Sequence, residues 1–192
     1  MQINFIDTIE IIDDVVQDEI LIENLKKESI IATTIKGQDT FNLTEPQKKI
    51  YNILNTLIVN YCAKNNIDFN NLKLTNFQKG SLQKYDQSKV CNHLYEPHHD
   101  MVESSFITAI YYIDSDYNEK TWVGGELTIY KNLTFAEYPN NTINILPKQN
   151  RLIIFPGFLT HRVKPYFGNK PRTSIVLGLA VKDAEEILPI II

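Results

Sequence analysis

Apolar positions along this chain change period once, near residue 72. Before that point they recur at three- and four-residue spacing, as on helix faces. Residues 45–64 carry the clearest case. Ile50, Ile53, Leu54, Leu57, Ile58 and Tyr61 form one stripe, Thr44 is placed to cap the start, and Pro46 suits the first turn. Residues 13–27 predict a shorter helix, with acids at its start, lysines at its end and a looser stripe of Val16, Ile20 and Leu25. The stretch between the two, with Gly37-Gln38-Asp39, reads as strand and turn. From residue 72 onward, short runs rich in Ile, Val, Thr, Tyr and Phe alternate with Gly, Pro, Asn and Asp clusters. This predicts strands at 73–86, 92–98, 106–113, 126–131, 142–146, 151–155, 160–165 and 173–181. Such an order implies a mainly β fold with N-terminal helices, either a β-sandwich or a jelly roll with a helical buttress.

Composition narrows the class. The chain has 192 residues, 43% apolar and 22% charged, enough for one globular domain with a sizeable core. Its net charge of -4, without a Lys/Arg run, gives no footprint for general nucleic-acid binding, although a locally basic groove stays open. Cys62 and Cys91 lack zinc-type spacing and read as reduced thiols. The first residues lack the basic start and apolar core of a signal peptide, and no run approaches the roughly 18 apolar residues of a membrane span. A soluble cytoplasmic protein is the expectation.

Chemistry concentrates at Tyr95-Glu96-Pro97-His98-His99-Asp100. In an extended strand alternate side chains share a face, so His98 and Asp100 lie together and His99 points away. An imidazole and a carboxylate on one face are two thirds of the 2-His-1-carboxylate set that holds non-haem Fe(II) and leaves coordination positions open. Of the four histidines (His93, His98, His99, His161), only His161 is distant enough in sequence to complete the set from another strand. Taken alone, the short motif more often marks a surface strand end than a metal site, and His93 reads as a satisfied or solvated histidine. Further on, Arg172 and Ser174 share a face of the last core strand. A guanidinium fork beside a hydroxyl is a receptor for an acid group. Gly124-Gly125 before Glu126-Leu127 reads as a tight turn or bulge. The polar loop 114–125, with Tyr117 and Trp122, reads as a candidate lid.

With these motifs in their order, the chain resembles the 2-oxoglutarate and Fe(II)-dependent oxygenases, in particular the prolyl 4-hydroxylase-like group. The resemblance runs from about Leu82 to Ala180. It includes Tyr85, the stretch from Tyr95 to Asp100, the strand Ile107–Ile113, Gly124-Gly125, and Pro147–Pro156. It closes with His161-Arg162-Val163-Lys164-Pro165, Gly168 and Arg172-Thr173-Ser174. It implies a double-stranded β-helix over residues 72–192, helical support from residues 1–71, and a single oxygenase domain. By the same resemblance the iron ligands fall on His98, Asp100 and His161. Arg172 receives the distal carboxylate of 2-oxoglutarate with help from Tyr112, and Ser174, Thr108 and Tyr85 complete the co-substrate pocket. Fe(II), 2-oxoglutarate and O2 are the implied cofactors, with ascorbate as an accessory. The implied reaction hydroxylates a C–H bond and releases succinate and CO2, and the carboxylate at Asp100 favours it over halogenation. A peptide or protein with a peptidyl proline is the implied partner, with a small-molecule substrate as the other choice. Two rival classes fit parts of the pattern: a metal-dependent hydrolase or isomerase on a cupin-like scaffold, and a non-catalytic binding module. The hydrolase has no use for Arg172.

Overall fold

The computed structural model describes residues 8–31, 44–85, 96–100, 106–115, 124–131, 141–167 and 172–181, with backbone alone for 29–31, 73–85 and 181. Two helices precede most of the strands. The elements are β1 (Glu10–Ile12), α1 (Glu19–Ile31), α2 (Glu45–Lys64), a 3-10 turn at Phe69–Asn71, β2 (Leu72–Tyr85), β3 (Ile107–Asp114), β4 (Leu127–Tyr130), β5 (Thr142–Ile145), β6 (Arg151–Pro156), β7 (His161–Val163) and β8 (Arg172–Val181). They form a five-stranded sheet in the order β1-β6-β3-β8-β2 and a three-stranded sheet in the order β5-β4-β7. Every strand pair is antiparallel.

Helix α2 has the limits its sequence predicts. Thr44 Oγ1 accepts from Gln47 N while the Gln47 side chain accepts from Thr44 N, so two amides that the first turn cannot satisfy are paired. Ile50, Leu54, Ile58 and Tyr61 are buried as the stripe requires. Helix α1 departs from expectation. It starts at Glu19 rather than residue 13, because Asp14 sits at φ 54° and Asp18 becomes the cap, accepting from Leu21 N at 3.1 Å. Of the expected stripe, Val16 and Leu25 are buried and Ile20 is not. Leu21, Ile22 and Leu25 pack inward, whereas Ile20 is 74% exposed. The helix also runs to Ile31, into the stretch expected as strand and turn, while Gly37-Gln38-Asp39 lies outside the described residues. Strand β1 was not predicted, being too short to show a period, and the expected strand at 92–98 is described only from residue 96, with a single bridge at His98.

The central strands are two-faced. On β3, Ile107, Ala109, Tyr111 and Ile113 join Leu152 and Ile154 of β6 and Ile175, Leu177 and Leu179 of β8 in one cluster with both helices. Ile110, Tyr112, Ile153, Phe155 and Val176 face the other way and meet Leu127, Ile129, Ile145 and Val163 of the small sheet. One layer of the core thus holds the helices, and the other lies between the two sheets. Burying such side chains contributes about 1.5–3 kcal/mol each.

Asn150, just before β6, ties the N-terminal segment to this frame. Its side chain accepts from Val16 N and donates to Val16 O, both at 2.9 Å, and its Oδ1 also accepts from Tyr111 Oη at 3.0 Å. Its φ of 61° lies in the left-handed region, which asparagine tolerates better than most residues. Nearby, Arg151 donates to Asp13 through Nε at 2.6 Å and Nη2 at 2.9 Å, with Lys148 at 3.2 Å. The hydrogen bond from Arg151 is the chief reason the Asp13 carboxyl is held down at about 2. Its stabilisation is therefore present above the ordinary value of 3.8 and is lost as pH falls toward 2. The group is partly exposed, so the contribution is under about 1 kcal/mol. Replacing Asn150 by Ala strands the Val16 amide and the Tyr111 hydroxyl, and is expected to lower unfolding free energy by about 2–4 kcal/mol. Asn150→Gly should recover only the backbone share, about 1 kcal/mol, in urea denaturation.

Candidate metal centre and acid-binding pocket

His98 and His161 meet as an antiparallel bridge pair. His98 N donates to His161 O at 2.9 Å and His161 N to His98 O at 2.7 Å. Residues directly opposite in such a pair project from the same face, which brings two imidazoles far apart in sequence to 4.5 Å between ring centroids. Asp100 is held two residues on by its own amide, which donates to Gly157 O at 2.8 Å. Its Oδ1 lies 3.9 Å from His98 Nε2 and its Oδ2 3.7 Å from His161 Nε2. One ligand atom from each of the three residues falls within 4.8 Å of the others, and among the described residues no other group of His, Cys, Asp or Glu does so. His99 is exposed and outside the cluster, as strand alternation predicts.

Both rings are oriented by their own segments. His98 Nδ1–H donates to Glu96 O and His161 Nδ1–H to Leu159 O, each at 2.9 Å. A carbonyl can only accept, so the proton sits on Nδ1 and the lone pair on Nε2, toward Asp100. Burial lowers the His161 pKa against the pull of the Asp100 charge, which favours the neutral ring that a metal needs. Phe155 packs edge-on against His161 at 4.9 Å. Thr108 Oγ1 donates to Asp100 Oδ2 at 2.5 Å, and both residues are buried. The sequence expectation put Thr108 in the co-substrate pocket; the structure gives its hydroxyl to the carboxylate.

A second polar group lies along the same inner face. Tyr112 and Ser174 are register partners on β3 and β8, and Arg172 is two residues along from Ser174. Arg172 is only 1% exposed, and its guanidinium stands 5.0 Å from the centre of the Tyr112 ring. Burial raises the Tyr112 pKa, while the Arg172 charge pulls it back. Ser174 Oγ is buried without a hydrogen-bond partner among the described residues. A cation and an unspent hydroxyl in a dry site fit a carboxylate ligand. Tyr85 is the register partner of Arg172 on β2, described here by its backbone alone.

Gly124 and Gly125 have φ near +75°, and Gly125 N donates to Pro165 O at 3.0 Å. A Cβ on Gly125 would lie 2.9 Å from the Tyr166 ring and 3.3 Å from Arg172 Cδ. The pair is therefore a close-approach site that lets Tyr166 pack beside the arginine stem. The Gly-Gly pair was visible in the sequence; its partner was not. Tyr117 and Trp122 of the 114–125 loop, with His93 and Cys91, lie outside the described residues.

The sequence family described as the 2OG-Fe(II) oxygenase superfamily matches residues 80–177, just over half of the chain. This chain belongs to that superfamily. The oxygenase accordingly uses Fe(II), 2-oxoglutarate and O2, for which the His-Asp-His cluster and the buried acid receptor are suited. Among curated proteins, no sequence matches it. Solved structures share its fold. A Pseudomonas putida prolyl-4-hydroxylase is 14% identical with a TM-score of 0.64, covering 92% of this chain and 86% of that one. A Trichoplax adhaerens prolyl hydroxylase in complex with a hypoxia inducible factor peptide fragment is 18% identical with a TM-score of 0.62, covering 96% and 88%. The viral collagen prolyl hydroxylase of Paramecium Bursaria Chlorella virus-1, as a 2OG complex, is 14% identical with a TM-score of 0.60, covering 91% and 97%. No helix among the described residues is long and apolar enough to cross a membrane.

Removal of any one ligand side chain is expected to weaken Mn(II) binding by more than the roughly 10–100-fold that an outer-shell partner costs. Calorimetric titration of His98→Ala, Asp100→Ala and His161→Ala checks this, with unchanged far-ultraviolet circular dichroism as the control for folding. His99→Ala should titrate like the wild type.

Proposed function

We propose that this oxygenase hydroxylates a peptidyl proline, with the two sheets forming a double-stranded β-helix in one oxygenase domain and residues 1–71 supporting it. The observation that supports the co-substrate part of the reading is the position of the acid receptor. Arg172, Ser174 and Tyr112 stand on the same inner face as His98, Asp100 and His161, separated along β3 by the apolar Ile110. A hydrolase would have no work for a buried arginine there.

In this reading His98, Asp100 and His161 would hold Fe(II), with the Nε2 lone pairs and the carboxylate turned toward one another. Arg172 grips the far carboxylate of 2-oxoglutarate through its fork while Ser174 donates a further hydrogen bond. Tyr112, kept protonated by burial, adds a phenol donor beside the arginine. Ile110, Ile153 and Val176 give this part of the pocket dry walls, which strengthens each of those polar contacts. When bound, Fe(II), 2-oxoglutarate and O2 would supply the oxidation, with one oxygen atom of O2 going to succinate as CO2 is released and the other to the hydroxylated product. A peptide partner is supported by the Trichoplax structure, which holds a peptide fragment on a similar fold. Proline-containing chains also bind with less backbone entropy to lose.

The test is succinate formation coupled to a 16 Da gain with proline-rich peptides, free proline and small metabolites offered side by side. Gain of mass only on non-peptide substrates overturns the prolyl reading. At the acid receptor, Arg172→Leu strands a buried carboxylate at a cost of about 3–5 kcal/mol, so KM for 2-oxoglutarate should rise by two orders of magnitude or more. Arg172→Lys keeps the charge without the fork and should raise it far less.

A further inference from the structure

The two oxygens of Asp100 are not equivalent. Both face the imidazoles, Oδ2 at 3.7 Å from His161 Nε2 and Oδ1 at 3.9 Å from His98 Nε2, but Oδ2 also accepts the 2.5 Å hydrogen bond from Thr108 Oγ1. The donor is firmly placed. Thr108 is 1% exposed, and its backbone is paired on both sides, with Phe155 of β6 and Gly178 of β8. Its branched side chain is stiff about χ1, so the hydroxyl cannot follow a carboxylate that turns. Asp100 is itself fixed by the bond from its amide to Gly157 O. With its backbone held at Gly157 and Oδ2 held at Thr108, the carboxylate can turn to present both oxygens equally only by giving up the Thr108 bond.

We infer that Thr108 is a positioning residue that commits Oδ2 to a hydrogen bond and so keeps Asp100 a one-oxygen ligand. This rests on the metal-site reading given above. Its consequence is a matter of counting. Two imidazoles and one oxygen would take three positions on the ion and leave the rest open for 2-oxoglutarate and O2. A second carboxylate oxygen would take one of those open positions and compete with the co-substrate.

Thr108→Val removes the hydroxyl and keeps the shape, and Thr108→Ser keeps the hydroxyl without the branch. Mn(II) affinity is measured by calorimetry, and 2-oxoglutarate affinity by anaerobic titration of the Fe(II)-loaded protein, followed by its visible charge-transfer band. In Thr108→Val the dissociation constant for 2-oxoglutarate should rise about tenfold or more while Mn(II) affinity falls by less, an outer-shell effect of the ordinary size in the wrong place for a merely structural loss. Thr108→Ser should recover most of the 2-oxoglutarate affinity. Thr108→Ala supplies the same comparison if the valine variant does not fold. An unchanged 2-oxoglutarate titration in the hydroxyl-free variants, or equal losses of metal and co-substrate, overturns the inference and leaves the metal site standing. Failure of the wild-type chain to bind Mn(II) overturns both.

Discussion

Everything in this fold depends on strands whose two faces do different jobs. The period of two along β3, β6 and β8 is fixed by backbone geometry, so a side chain can serve the helix-facing core or the inner face but never both. Tyr111 and Tyr112 show the division. Tyr111 turns toward the helices and bonds Asn150, while its neighbour turns inward beside Arg172. A slip of one residue in the register of β3 would send Thr108, Ile110 and Tyr112 to the helices and place Ile107 and Ala109 where polar groups are needed. The apolar layer under the helices, with Ile50, Leu54 and Leu152 fully buried, holds the register against that slip.

Polar chemistry can therefore sit in the interior at a tolerable cost. Arg172, Ser174, Thr108, Asp100 and His161 are all buried, a costly set unless each has a partner or a ligand. The cost is met locally in most cases. Imidazoles bond their own chain two residues back, the carboxylate takes a hydroxyl, and the arginine lies against an aromatic ring. Ser174 Oγ has no such partner among the described residues.

Much of this arrangement was legible in the sequence because its causes are local. The limits of α2 follow from a cap, a proline and a stripe within twenty residues. The shared face of His98 and Asp100, and that of Arg172 and Ser174, follow from spacing by two. What could not be read depends on partners far along the chain. Asn150 looks like any turn residue, yet its bonds reach Val16 across 134 positions. Asp13 and Asp14 look like the first turn of a helix, but one is drawn to Arg151 and the other takes a left-handed backbone, which delays α1 by six residues and exposes Ile20. The hydroxyl of Thr108 could be assigned to the inner face from alternation, but whether it met co-substrate or carboxylate depended on where residues 96–100 return to the sheet.

The unequal exposure of the two histidines gives the centre a front and a back. The His98 side chain is 41% exposed and that of His161 5%, although they are opposite members of one bridge pair. The open side of the cluster is at His98, while His161 sits deep with Phe155 edge-on beside it. A cavity left by shortening His98 opens to solvent and can be refilled by free imidazole, whereas one left at His161 is closed to it. The two imidazoles are alike in chemistry and different in exposure, so a change at one opens to solvent and a change at the other stays inside.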